Sequence, residues 1–448
     1  MSNLEKTIAA QASAVGQGAV GLIRMSGPDC LAIITACTKL QAGSLAPRYA
    51  KLANILDSNG QVIDQVLITY FKGPASYTGE DVIEIACHGG MLVTRKVLQR
   101  LFECGAGVAE PGEFTKRAFL NGQMDLTQAE AVMDIISAGS ELALKSAQEQ
   151  LEGGIGKRVN AVKDRVIQIL AHIEAYIDFP DEDISPDTES ALLRQLNEVE
   201  GELTQLLATE EGGRLLREGI KTVIVGEPNV GKSSLLNTLL GYERAIVSDI
   251  AGTTRDTIEE VVIVGGMALR LIDTAGVRDS KDVVEQKGIE RTNSAINRAD
   301  LIIEVLDSSQ PYPEISILGP QRQAHIQIFN KVDLGIHPSF QEKSGILYSC
   351  AQNLGQKELE ETIVETFASK IPHGEGASLT AINARHREAL AAALASLKLA
   401  QESISLQNSP EFTALELREV LTYLGEITGV VDTEDILGAI FSTFCLGK

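Results

Sequence analysis

Apolar residues recur along this chain with different periods in successive stretches, and the changes of period divide it. Up to about Phe119 the pattern is mixed α/β. Val20–Met25 reads as a strand that stops at Ser26-Gly-Pro28, and Asp29 to Leu40 reads as a helix. Lys51–Asp57 and Val62–Phe71 are β-like runs on either side of Asp57-Ser-Asn-Gly60, which predicts a hairpin. Val82–Cys87 is a further strand with Glu84 inside it. In Met91–Cys104 the residues Val93, Val97, Leu98 and Leu101 share one helical face.

After Pro111-Gly112 the helical period takes over. Ala129, Val132, Met133 and Ile136 form one stripe, and Val159, Val162, Val166, Leu170, Ile173 and Ile177 form another. Gly153-Gly-Ile-Gly156 separates them. Asp178–Ile184 is an acidic connection, and one helix is expected from about Thr188 to Leu216. Between Gly219 and about Ile371, strands alternate with helices, the pattern of a parallel-sheet α/β domain. Thr222–Val225, Glu260–Val264, Ala268–Ile272, Leu301–Leu306 and Ile326–Phe329 are its predicted strands. Helices return in Ala381–Leu406, Glu411–Gly425 and Thr433–Phe444. The expected architecture is multidomain: an α/β nucleotide domain inserted into an all-α helical bundle, preceded by an α+β domain. The expected segments are 1–119 (N-terminal domain), 120–217 (first helical half), 218–372 (G domain) and 373–448 (second helical half). Such an insertion is possible because domain termini lie close in space.

Composition adds limits. The 448 residues are 44% hydrophobic and 22% charged, ordinary for a globular chain. A net charge of −22 argues against broad non-specific nucleic-acid binding, so an RNA substrate needs a local basic patch or a partner. Six cysteines, Cys30, Cys37, Cys87, Cys104, Cys350 and Cys445, include no C-x-x-C pair, so neither a zinc site nor a disulfide framework is indicated. No apolar run reaches spanning length, and Met1–Ile8 is not signal-like, so a reduced, cytoplasmic protein without membrane contact is expected.

The chemistry starts at Gly226-Glu-Pro-Asn-Val-Gly-Lys-Ser-Ser234, which fits the phosphate-binding pattern G-x-x-x-x-G-K-[ST]. A β-branched run precedes it and a helix follows, so backbone N–H groups and the helix dipole face an anion. Asn229, Val230, Gly231, Lys232, Ser233 and Ser234 are expected to line GTP, with Lys232 on the outer phosphates and Ser233 on Mg²⁺. Downstream, Ser248, Asp249, Ile250, Ala251, Gly252, Thr253 and Thr254 form a switch-like stretch in which Thr254 completes the Mg²⁺ shell. Asp273-Thr274-Ala275-Gly276 follows a strand, with Asp273 reaching the metal through water and Gly276 N–H meeting the γ-phosphate. Asn330-Lys331-Val-Asp333 selects guanine, Asp333 accepting from N1–H and the exocyclic amine. Ser349-Cys350-Ala351 replaces the usual Ser-Ala-Lys, with the backbone N–H near Cys350 aimed at the guanine oxygen.

Val277 stands where a Ras-like switch carries the glutamine that orients water, and it cannot accept a hydrogen bond. Another group must therefore place water. Arg255 and Arg278 are candidate arginine fingers or simply solvated switch residues. Glu285 is a candidate water-orienting carboxylate or a solvated helix charge.

These motifs, with Pro111–Gly122 and the terminal Phe444-Cys-Leu-Gly-Lys448, resemble the MnmE (TrmE) family of tRNA-modification GTPases over essentially the whole length. The resemblance implies a potassium-activated GTPase in which Asn229, Ser248, Ile250 and Thr253 hold K⁺ and Glu285 orients water. A fixed cation there does the work of an arginine finger. It also implies a homodimer through a folate-binding-like N-terminal domain that takes 5-formyl-tetrahydrofolate at Arg24, Glu84, Gln123 and Lys448. Gln123 stands where relatives commonly carry a basic residue. Cys445 lies in the family's Cys-Ile-Gly-Lys motif, here Cys-Leu-Gly-Lys, as a reactive thiol or a packed hydrophobe. The implied partners are the FAD-containing MnmG, in a heterotetramer, and tRNA modified at the wobble uridine. A regulatory GTPase switch without substrate chemistry remains the alternative.

Overall fold

A computed structural model describes residues 6–41, 43–178, 189–241, 260–272, 294–313, 323–371, 379–430, 434–445 and 447–448. The chain forms two compact units, Met1–Met133 with Leu424–Lys448, and Asp134–Tyr423.

The first unit is built on strands β1 (Ile8–Gln11), β2 (Val20–Ser26), β3 (Ala50–Leu56), β4 (Val62–Phe71), β5 (Val82–His88) and β6 (Gly107–Val108). They lie in the order β3-β4-β5-β2-β1-β6, with β1 antiparallel to β2 and parallel to β6. The predicted hairpin is present: Gly60, at φ 80°, donates its N–H to Asp57 O at 3.1 Å. Helices α1 (Cys30–Cys37) and α2 (Met91–Glu103) cover one face. Ile34, Cys37, Val97 and Leu101 share a core there with Ile23, Met25, Ile83 and Ile85. Period-2 alternation sends Leu52, Leu67, Ala86 and Leu22 to the opposite face, where the register aligns them in one row. Helix α1 is shorter than its apolar pattern predicts. Thr38 adopts an extended conformation (φ −134°), and its hydroxyl donates to Ile34 O at 2.8 Å. β1 was not visible as a period, because four residues are too few to show one.

Helix α3 (Glu113–Leu120) and the start of α4 (Leu126–Ser137) continue this unit. Phe119, Leu126 and Ala129 form a small core with Leu437, Phe441 and Phe444 from the C-terminal segment. Gly112, at φ 68°, lies under that segment, where a Cβ would come within 2.7 Å of Phe441 O.

The second unit contains α5 (Glu141–Leu151), α6 (Gly154–Asp178), α7 (Glu189–Leu207) and α8 (Glu210–Glu218). The glycine punctuation acts at Gly153 alone (φ 87°), while Gly154–Gly156 belong to α6. The single helix expected over 188–216 is broken. The Thr209 hydroxyl donates to Leu206 O at 2.7 Å and accepts Ile382 N–H at 3.3 Å, which diverts the chain between α7 and α8.

The inserted domain carries β7 (Ile220–Val225), α9 (Lys232–Leu240), β8 (Glu260–Val264), β9 (Met267–Leu271), β10 (Leu301–Asp307), β11 (Ala324–Asn330), β12 (Ile346–Leu347) and α10 (Gln356–Phe367). The strand order is β12-β11-β10-β7-β9-β8, with β8–β9 the antiparallel pair and the other pairs parallel. β7 and β10 are buried almost throughout, as strands covered on both faces must be, and β11 is buried over its last three residues, Ile328–Asn330. Leu215 and Leu216 of α8, with Ile371 and Leu379 on the exit side, join this domain's core, so chain entry and exit share one apolar joint. After it come α11 (Ala384–Ser405), which packs on α7, then α12 (Pro410–Thr428) and α13 (Glu434–Ser442). Among the described residues no helix is long and apolar enough to cross a membrane.

Candidate functional site

Two clusters bring sequence-predicted residues together, one in each unit. The first lies beyond the end of β7, which is flanked by β10 on one side and β9 on the other. This is the reversal of strand order where open α/β sheets bind ligands. The loop from Gly226 to Gly231 has positive φ at Gly226 (149°), Asn229 (64°) and Gly231 (106°). Gly231 leaves no room for a side chain, since a Cβ would collide with the Asn330 amide. Lys232 opens α9, and its Nζ donates to Gly226 O at 2.9 Å and Glu227 O at 2.7 Å. Burial pushes its ammonium below the ordinary lysine value.

Asn330 ends β11 and joins three loops. Its Nδ2 donates to Val230 O at 2.8 Å, and its Oδ1 accepts Cys350 N–H at 3.3 Å. The Asp333 carboxylate accepts the Ser349 hydroxyl at 2.5 Å. Lys331, at φ 67°, donates to Asp307 Oδ2 at 2.6 Å. Burial would raise Asp307, but Lys331 and Ser309 outweigh it and hold that carboxyl below its usual range. The Asn229 and Ser233 side chains and Ala351 are exposed around this arrangement. Ser248, Asp249, Ile250, Ala251, Gly252, Thr253, Thr254, Arg255, Asp273, Thr274, Ala275, Gly276, Val277, Arg278 and Glu285 lie outside the described residues.

The second cluster sits on the sheet face opposite α1 and α2, where Phe114 of α3 packs against Ile8 and Ala10. Antiparallel register sets Arg24 of β2 opposite Glu84 of β5. Arg24 Nη2 and Nε reach Glu84 Oε1 at 2.8 and 3.0 Å. The guanidinium carbon lies 5.0 Å from the Tyr77 ring centre and 5.9 Å from that of Phe114. Arg24 Nη1 is buried and has no hydrogen-bond partner among the described residues. The end of the chain also arrives here. Gly447, at φ 90°, lies against the backbone of Gln11 and Ala12 so closely that a side chain would not fit. That contact brings the Lys448 ammonium within electrostatic range of the pair. Burial first, and then the Arg24 charge, push the Lys448 ammonium below its usual value, with Glu84 and Cys445 opposing. Cys445 is half-buried. Gln123 is exposed, its amide beside Gly79, with no hydrogen bond or ion pair to Arg24, Glu84 or Lys448. The site therefore has two cations, one carboxylate, an unused buried N–H donor and an aromatic floor. Such a set can grip an anion while its carboxylate accepts from an amide or amine edge.

Comparison with known proteins separates this chain from P-loop proteins at large. Residues 126–445 match the family profile described as the MnmE helical domain, and residues 7–123 match GTP-binding protein TrmE N-terminus. The tRNA modification GTPase MnmE of Akkermansia muciniphila is 63% identical over 453 residues, covering 100% of both chains. The chain belongs to the MnmE (TrmE) family. The MnmE of Clostridioides difficile is 44% identical and that of Aquifex aeolicus 42%, each covering 99% of this chain and 100% of the relative.

For an MnmE chain, the signal for the second site is unevenly distributed along the sequence. Phe114 lies inside the Pro111–Gly122 motif that marks the family, but no motif marks Tyr77. Tyr77 becomes visible only once β2 and the 72–81 connection are side by side; there its hydroxyl hydrogen-bonds Thr115 Oγ1 at 2.9 Å.

Proposed function

We propose that this MnmE-family chain is a potassium-activated GTPase. With the FAD-containing partner MnmG it installs an aminomethyl or carboxymethylaminomethyl group at the fifth carbon of the wobble uridine of certain tRNAs, drawing one carbon from 5-formyl-tetrahydrofolate. It works as a cytoplasmic homodimer and in a heterotetramer with MnmG. The observation that carries this reading beyond a bare switch is the meeting of Arg24, Glu84 and Lys448, because a regulatory GTPase has no use for a second built anion site.

On GTP binding, Lys232 exchanges two backbone carbonyls for the outer phosphates, and the loop N–H groups and the α9 N-terminus meet the remaining oxygens. Asp333 accepts from the guanine N1–H and amine, while Asn330 keeps the guanine and phosphate loops in register. The exposed Ser233 and Asn229 side chains fit the loop's cation roles. Magnesium held by Ser233 and Thr254, and potassium held by Asn229, Ser248, Ile250 and Thr253, would supply positive charge beside the transferred phosphoryl group. Glu285 orients the attacking water in place of the missing glutamine, and Arg255 and Arg278 lie in the same switch segments. In the folate site, Arg24, Glu84, Gln123 and Lys448 would hold the ligand, the Glu84 carboxylate accepting from an amide or amine edge and the cations meeting an anionic group. Cys445 would be the candidate catalytic thiol of this site. The homodimer reading draws support from Leu52 (59% exposed), Leu67 (46%) and Val20 (62%) on the uncovered sheet face.

The test replaces the chain in cells by Arg24→Ala and reads wobble nucleosides by mass spectrometry, with GTP hydrolysis measured on the purified variant. Loss of the modification with hydrolysis intact is expected. An unchanged nucleoside profile would favour the regulatory-switch reading.

A further inference from the structure

Arg117 of α3 is wholly buried, yet it carries a charge that the proposed chemistry does not use. Its Nη1 donates to Glu80 Oε2 at 3.1 Å and Oε1 at 3.3 Å, and its Nη2 donates to Glu113 Oε1 at 2.8 Å. Glu80 belongs to the 72–81 connection and Glu113 opens α3, so one guanidinium ties two segments together. A third segment joins through Ser26, which ends β2 two residues after Arg24 and so lies on the same sheet face. The Ser26 hydroxyl donates to Glu80 Oε2 at 2.7 Å. The Thr78 hydroxyl, 2.7 Å from Ser26 Oγ, must then donate to Ser26. Asn121, just past α3, donates its Nδ2–H to Thr78 O at 2.7 Å.

A buried ion triad is a poor source of stability, because desolvating three charges cancels much of their attraction. What it fixes is position. Tyr77 lies three residues before Glu80, and Phe114 directly follows Glu113. Their ring centres stand 5.0 and 5.9 Å from the Arg24 guanidinium carbon, and the Tyr77 hydroxyl hydrogen-bonds Thr115 of α3 at 2.9 Å. Both rings are thus anchored within three residues of a carboxylate that Arg117 holds. We propose that Arg117 is a positioning residue for the anion site at Arg24. By clamping Glu80 to Glu113 it seats Tyr77 and Phe114 against the guanidinium, while Glu84 occupies Nη2 and Nε and Nη1 is left for the ligand. Arg117 itself is enclosed and acts only through these neighbours. The proposal rests on the reading of this cluster as the formyl-tetrahydrofolate site.

Binding of 5-formyl-tetrahydrofolate to the full-length protein is measured by titration calorimetry for the wild type, Arg117→Lys, Arg24→Ala and the double variant. Lysine keeps the buried charge but lacks the fork that spans both carboxylates. Arg117→Lys should bind about 10-fold more weakly than the wild type. That loss should vanish when Arg24 is already alanine, because Arg117 acts through Arg24. An equal loss in both backgrounds would mean general loosening of the unit and overturns the proposal, as does wild-type affinity in Arg117→Lys. Glu80→Gln, which keeps the side-chain shape and leaves Arg117 paired with Glu113, carries the same expectations should the lysine variant not fold. A wild-type protein that binds no folate sinks the folate reading together with the proposal. Wild-type binding that Arg117→Lys leaves untouched sinks the proposal alone.

Discussion

The nucleotide loop and the Arg24–Glu84–Lys448 cluster both hold a lysine whose charge is disfavoured by burial, but they compensate it differently. Lys232 is satisfied by two carbonyls of its own loop, 2.9 and 2.7 Å away, within six residues of chain. Lys448 stands near a second cation, Arg24, with Glu84 and Cys445 opposing it among the described residues. The loop is thus complete without phosphate, and ligand merely replaces carbonyl oxygens. The other cluster carries surplus positive charge and an unpartnered N–H donor, a tension that an anion relieves. One site is preorganised by local backbone, the other by long-range assembly.

The strongest way to separate them is Lys232→Ala. Losing two charge-assisted contacts to phosphate should cost about 3 kcal/mol or more, roughly a 100-fold drop in GTP affinity. Titration calorimetry should show that drop with formyl-tetrahydrofolate binding unchanged; parallel loss of both ligands would mean that the sites are not independent. Arg24→Ala is the converse. Folate affinity should fall about 10- to 100-fold, corresponding to ~1.5–3 kcal/mol for a charged hydrogen bond, while GTP affinity holds.

The smallest effect is a pH step. Because the Lys448 pKa lies below 10.5, its charge costs the folded state stability at lower pH, and that cost is relieved as pH rises through the folded value towards 10.5. An anionic ligand needs the ammonium, so binding should be strongest below that pKa and fade above it, earlier than for an ordinary lysine. Calorimetry across alkaline pH should show the step in the wild type and its absence in Lys448→Gln, which binds more weakly but evenly.

How much could be read in advance follows from the range of the forces involved. The apolar strands of the nucleotide domain and the long helix α6 were plain, because periodicity over many residues reflects burial of a whole face. The break at Thr209 was hidden, since it depends on Ile382, far along the chain, donating to its hydroxyl. β1 was hidden as well, being a strand only through its pairing with β2 and β6. The phosphate loop was legible because its glycines, lysine and serine act within one turn of backbone. The convergence of Arg24, Glu84 and Lys448 could be expected only by resemblance, and Tyr77 not at all.

By itself, then, the sequence determined much of what acts over a few residues: strand and helix periods, the hairpin at Asp57–Gly60, and the glycine, lysine and serine spacing of the phosphate loop. Tertiary structure alone decided which remote groups meet. The close seat of Gly447 against Gln11 carries the last residue of the chain to a pair of side chains on β2 and β5. Packing and strand register, rather than neighbourhood along the chain, set that meeting, because hydrophobic burial is non-directional and only a folded core gives it geometry.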